Sequence, residues 1–289
     1  MKERPDWQVE GADWPHRACS RFVRAAGFDW HVQIIGQGPG LLLLHGTGAS
    51  GHSWRDLVPV LAEHFTLIIP DLPGHGFSHW RSRGQLSLPE MASQVAALLA
   101  ELGLPVTVVA GHSAGVAILL HMALVGDIAP VAVVSINGAL RPFRGVEGLL
   151  YPALAKVMFL NPLTPSLLAW KATDRVAVGR VIAGTGSKLT PEGVDYYARL
   201  LATRRHVGAT LGMMANWDLR PLQRDLAYLK ARLTLIAAER DSAVPPAVAE
   251  ETQRLLPAAE LLLLPRLGHL AHEEDPVALA GLIVKACIL

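Results

Sequence analysis

Cysteine is almost missing from this chain. Two occur in 289 residues, Cys19 and Cys287, at opposite ends and with no CxxC spacing. A disulfide framework is thereby excluded, and a reduced, cytoplasmic setting is expected. Charge is scarce too, at 18% Asp, Glu, Lys and Arg with a net of +1. Nucleic acid needs a concentrated basic face, and here the basic residues are scattered except at Thr203-Arg204-Arg205-His206, which reads as a solvated helix face. The opening MKERPDWQVEGADWPHR lacks the apolar centre of a signal peptide, so export is not expected. Twelve histidines are present but no HExxH and no close His-Asp cluster. No metal and no cofactor are therefore expected, His45, His52, His75 and His112 being the one grouping that keeps a metal in view. No glycine-rich loop ends in Gly-Lys-Ser or Gly-Lys-Thr, and no internal repeat or low-complexity tract occurs.

What the chain has is apolar side chains, 51% of it, with a positive mean hydropathy that leaves room for peripheral membrane contact. Between Glu101 and Asp127 there is no Asp, Glu, Lys or Arg, a stretch long enough for a bilayer span. Its internal pattern points elsewhere. VTVVAG is a short β-branched run suited to a strand buried on both faces, and AGVAILLHMALVG has the length and Ala/Leu content of a packed helix. Gly111 and Gly115 flank Ser113 at the junction, the pattern of a serine displayed on a tight strand-to-helix turn.

The same alternation runs through most of the sequence. Phe28 to Gly36 reads as an early antiparallel strand and GLLLLHG as a buried one. SWRDLVPVLAEHF, TLIIPD, PEMASQVAALLAELG and PVAVVSING continue as helix, strand, helix and strand on either side of the Ser113 turn. After a lapse it resumes with the strand ARLTLIAAERD, a helix from Pro245 to about Leu256, the strand AELLLLP and a last helix from about Pro276. Such repetition predicts an α/β fold with a mostly parallel central sheet and helices on both faces. Residues 1–140 and 222–289 form the predicted core, and 141–221, helical in spacing and without a strong strand run, a predicted cap over the sheet's carboxyl edge.

A serine hydroxyl attacks carbonyl carbon only if an imidazole takes its proton, and the imidazole needs a carboxylate to set its tautomer. Asp241 follows a predicted strand, as does His269, so Ser113, Asp241 and His269 are expected to meet at one sheet edge. His272 is the rival base; His269 is preferred because Gly268 permits a tight turn. Backbone N–H groups of Thr47, in the HGTG loop, and Ala114 are candidate oxyanion donors. Asp71 and His75 in DLPGHGFS are read as loop-holding residues.

HGTGAS, DLPGHGFS, GHSAG, ERD and GHLAHEEDP in this order resemble the α/β-hydrolase-fold superfamily over nearly the whole length. GADWPHRACSRFV and LLLLHGTGASGHSWRDL are similar to the magnesium chelatase-associated accessory proteins of bacteriochlorophyll biosynthesis. The resemblance implies the α/β-hydrolase fold with a helical cap, Ser113, Asp241 and His269 as triad, and Thr47 with Ala114 as oxyanion positions. An aspartate at 113 would have implied dehalogenase or epoxide-hydrolase chemistry instead. It further implies association with magnesium chelatase and a hydrophobic small-molecule substrate such as a tetrapyrrole, its propionates meeting Arg141, Arg144 or Arg175 beneath the apolar Gly148 to Trp170 stretch. Two functions stay open: hydrolysis of an ester or related acyl bond, and non-catalytic binding or delivery of a porphyrin on the same scaffold.

Overall fold

The computed structural model describes residues 2–79, 86–142 and 156–288. One eight-stranded sheet runs through it: β1 (Ser20–Ala25), β2 (Phe28–Ile35), β3 (Gly40–Leu44), β4 (Thr66–Pro70), β5 (Val108–His112), β6 (Ala132–Ile136), β7 (Arg232–Ala238) and β8 (Glu260–Leu264). Their spatial order is β1-β2-β4-β3-β5-β6-β7-β8. The β1–β2 and β2–β4 pairs are antiparallel and the other five are parallel. The predicted α/β class and mostly parallel sheet are therefore what the chain forms. β3, β5 and β6 are buried along their whole length, which is why they read as unbroken apolar runs rather than alternating ones.

Two apolar cores follow from helices on both faces. On one, α2 (Leu88–Leu102) and α3 (Ala114–Val125) cover the sheet with Met91, Val95, Leu98, Val116 and Leu119. α2 starts at a capping box in which Ser87 and Glu90 bond reciprocally, and ends on Gly103 at φ +61°. α3 is twelve residues, apolar all round, because it is the central buried helix. Among the described residues no helix is long and apolar enough to cross a membrane. On the other face, α1 (Val58–Leu61) and the carboxyl-terminal helix Pro276–Ile288 pack Leu57, Leu61, Leu279 and Ile283 against Leu41, Leu43 and Val134.

One local expectation differs. SWRDLVPVLAEHF is not one helix but a 3-10 turn, Gly51–Trp54, followed by four residues of α-helix. Pro59 has no N–H to give and is tolerated only in a first turn, so the helix restarts around it.

Between β6 and β7 the chain leaves the sheet, and among its described residues the excursion is helical: Thr164–Lys171, Arg175–Gly184, Pro191–Leu201, Arg204–Ala215 and Arg220–Asp225. The amino-terminal segment ties to it. Trp14, 2% exposed, meets Phe77 and Tyr196 edge-on, and the backbone N–H groups of Arg204 and Arg205 donate to the carbonyls of Lys2 and Glu3.

Candidate active site

Ser113 stands between β5 and α3 with φ +52° and ψ −119°, backbone angles that cost an L-residue strain and point the side chain away from the strand direction. Its two flanking glycines are there for space. A Cβ on Gly115 would lie 2.3 Å from the Leu44 carbonyl oxygen, and one on Gly111 would lie 2.7 Å from the Val116 nitrogen. The turn is held by Ser113 N–H donating to Ile136 O (3.0 Å) and Ala139 N–H donating to Ser113 O (3.1 Å).

At the end of β7, the fully buried Asp241 carboxylate accepts three hydrogen bonds. Oδ1 takes the Ala243 and Val244 N–H groups, both at 2.8 Å, and Oδ2 takes His269 Nδ1–H at 2.7 Å. With Nδ1 protonated and committed, Nε2 of the neutral ring carries the free lone pair. Neither Ser113 Oγ nor His269 Nε2 takes part in a described hydrogen bond, a looseness common before substrate tightens such a site. The two loops nevertheless adjoin, since His112, next to Ser113, holds the His269 carbonyl through Nε2 at 2.8 Å with ring centroids 4.6 Å apart.

The loop after β3 lies on the other side of the serine. A Cβ on Gly46 would be 3.0 Å from Ser113 Cβ, so the backbone leading to Thr47 passes directly against it. Thr47 anchors outward, Oγ1 donating to Met213 Sδ at 3.3 Å. The Thr47 and Ala114 N–H groups appear in no described loop or cap hydrogen bond, and a helix's first N–H has no partner within the helix.

The model of the alpha/beta hydrolase family matches residues 41–282. The chain belongs to that family. Across 275 residues it is 40% identical to the magnesium-chelatase 30 kDa subunit of Rhodobacter capsulatus, covering 94% of this chain and 96% of that one. It is 29% identical over 255 residues to the pimeloyl-[acyl-carrier protein] methyl ester esterase of Vibrio vulnificus, covering 86% and 94%. An alpha/beta hydrolase fold protein from Burkholderia ambifaria superposes with a TM-score of 0.77 at 21% identity, over 92% of this chain and 99% of that one, which speaks for the fold alone.

The rival imidazole has no such partner. His272 is wholly buried, neither ring nitrogen is hydrogen-bonded, and burial followed by the His269 and Arg55 charges presses its pKa down to about 3. Gly268 serves differently from the sequence expectation. It does not have a positive φ; instead a Cβ there would lie 2.3 Å from the Gly186 backbone and 2.5 Å from Ser187 N. That contact belongs to a brace that sequence reasoning missed. Thr185 O accepts from His269 N–H and Ser242 N–H, and Ser187 Oγ accepts from Leu270 N–H at 2.8 Å, so the excursion grips the acid and imidazole loops directly. Asn137, at φ +46° after β6, completes it. Its Nδ2 donates to Gly268 O (3.0 Å) and His269 O (2.8 Å), and its Oδ1 accepts Ala238 N–H (2.8 Å). The signal was the Asn-Gly after a strand, a pair that tolerates left-handed backbone.

Asp71 and the surrounding histidines hold loops. Asp71 accepts from His31 Nδ1, Gly51 N–H and Phe77 N–H. Burial works to raise its pKa, yet His31, His45 and the Gly51 amide outweigh it and hold the carboxyl down at about 2. His45 donates from Nδ1 to Gly46 O and accepts Leu72 N–H at Nε2, whereas His206 accepts Gly76 N–H and donates to Gly48 O. Burial keeps both neutral, His206 near 4. Among the described residues no group of three or more His, Cys, Asp or Glu side chains is arranged to hold a metal. Of the arginines expected to meet a propionate, Arg141 is paired with Glu251 and Arg175 with Asp195. Arg144 lies outside the described residues, as does 148–155 of the apolar stretch.

Proposed function

We propose that this chain hydrolyses an ester or related acyl bond of a hydrophobic substrate, with Ser113 as nucleophile, His269 as base and Asp241 as its orienting acid. The observation that carries the reading is the His269–Asp241 hydrogen bond of 2.7 Å beside a serine on a strained strand-to-helix turn. Ser113 Oγ attacks the acyl carbon and passes its proton to His269 Nε2. The imidazolium is stabilised by Asp241, and the carbonyl oxygen, now negative, is received by the Thr47 and Ala114 N–H groups. Collapse expels the alcohol, which takes the proton from Nε2. Water, deprotonated by the same nitrogen, then releases the acid and restores the serine.

Residues 141–221 act as a cap that sets substrate choice. Similarity to a magnesium-chelatase subunit favours a tetrapyrrole or its ester and a role beside that chelatase in bacteriochlorophyll synthesis, while similarity to a methyl ester esterase favours a small alcohol leaving group. A second reading, a porphyrin carrier on the same scaffold, is favoured by one observation: the 40% identical relative is named as a subunit rather than as an esterase. Labelling by a fluorophosphonate probe, abolished in Ser113→Ala, is the expected result. Well-folded wild type that takes no label, or a Ser113→Ala variant that still hydrolyses porphyrin esters, defeats the hydrolase reading. Porphyrin binding and full complementation by Ser113→Ala would establish the carrier.

A further inference from the structure

The outer face of the helical excursion is apolar where a water-facing helix is ordinarily polar. Val157 and Leu160 lie on the helical residues 156–160, Leu167 and Trp170 lie on the helix Thr164–Lys171, and Leu163 stands in the turn that joins the two. All five are open to solvent, from 53% for Leu167 to 72% for Leu163. Asn161 N–H donates to Val157 O and Leu167 N–H to Leu163 O on either side of a bend at Asn161 and Pro162, where Leu163 N–H donates to Asn161 Oδ1 at 2.9 Å. The inner side is already filled: Phe159 and Ala169 pack with Val207 and Leu211 on the helix Arg204–Ala215. Among the described residues, none buries the outer row.

Its charge surroundings say what it suits. Lys156 and Lys171 stand exposed at the two ends of the row, and from Gly148 to Thr173 the sequence holds no acidic residue. An apolar row with an indole at one end, lysines at its margins and no carboxylate between them, the next in sequence being Asp174, matches an anionic lipid surface: the side chains enter the acyl boundary, the indole sits at headgroup depth, and the ammonium groups meet lipid phosphates. No described helix is long and apolar enough to cross a membrane, so this element would lie in the interface rather than span it.

We propose that the outer face of residues 156–171 docks the protein reversibly on an anionic bilayer surface, whether or not Ser113 is active. The test is co-sedimentation of the full chain with vesicles of phosphatidylcholine alone and of equal parts phosphatidylcholine and phosphatidylglycerol, at low and high salt. Wild type is expected on the mixed vesicles, released by salt. Leu163→Glu/Trp170→Glu should weaken partitioning by about tenfold or more, since each carboxylate opposes insertion. Lys156→Gln/Lys171→Gln, which leaves the apolar row intact, should remove the preference for the mixed vesicles. Melting curves check that both variants fold. No partitioning of wild type, or partitioning unchanged in both variants, overturns the proposal. A lipid-free dimer, or a lipid-free complex with a purified chelatase subunit, that Leu163→Glu/Trp170→Glu dissolves would overturn it equally, because the face would then belong to a protein.

Discussion

Replacing Asn137 by alanine removes three hydrogen bonds at once, two of them buried and one partly buried. The His269 carbonyl keeps a donor in His112, but the Gly268 carbonyl and the Ala238 N–H lose the partners described for them. Each orphaned group costs about 1–3 kcal/mol, and alanine held at a left-handed φ adds about 1 kcal/mol. A loss of roughly 3–7 kcal/mol is therefore expected in urea unfolding. The loop carrying His269 would also loosen, and a displacement on the order of 1 Å is enough for a hundredfold loss of turnover. Asn137→Asp separates packing from polarity. It keeps the acceptor for Ala238 N–H but turns a second oxygen toward two carbonyl oxygens. An ionised carboxylate is repelled there, whereas a protonated one donates, so the aspartate variant should be closest to wild type near about pH 5 and fall behind as pH rises toward about 8. Urea midpoints and the rate of fluorophosphonate labelling, both across pH, measure these effects. An alanine variant within about 1 kcal/mol of wild type and labelled at the same rate would refute the reasoning.

The two imidazoles should separate cleanly. His269→Gln is expected to lower esterase turnover by about six orders of magnitude, while the unbonded His272 tolerates His272→Phe with a change under about tenfold; the reverse order would move the base to residue 272. Acid should destabilise the fold. His206 is neutral down to about 4 and His272 to about 3, both below the usual 6.5, so their contribution is complete above about 6.5 and is lost as pH falls toward those values. Glu273 runs oppositely. Burial, opposed by Arg55 and Tyr197, raises it to about 6, so its contribution is complete below about 4.5 and lost as pH rises through 6. The histidines outnumber it, and the melting temperature should fall between about pH 6.5 and 4, with a shallower slope in His206→Gln; a flat profile would contradict the buried-neutral assignment. Gly115→Ala, which forces a Cβ to 2.3 Å from Leu44 O, should cost about 3 kcal/mol or more, whereas Gly281→Ala, in a helix with nothing within 4 Å, should be neutral or stabilising by about 0.5–1 kcal/mol. Chemical denaturation compares them.

Features made by residues close in sequence were readable without coordinates. Gly111 to Gly115 specify a turn because its steric demands fall on adjacent positions, and the buried runs of β3, β5 and β6 announce parallel strands because burial on both faces removes the alternation. Ser113, Asp241 and His269 were each recognisable as lying in the connection that leaves a strand's carboxyl end. Between His269, preferred in the sequence for its neighbour Gly268, and His272, three residues on, the tertiary structure decided which imidazole meets Asp241, because the two rings lie in different surroundings. It also decided that Gly268 makes room for Gly186, that Asn137 ties β6 to β7 and the His269 loop, and that Arg141 and Arg175 are already paired. Those contacts join positions distant in the chain, and hydrophobic periodicity records only whether a side chain is covered, not which distant partner covers it.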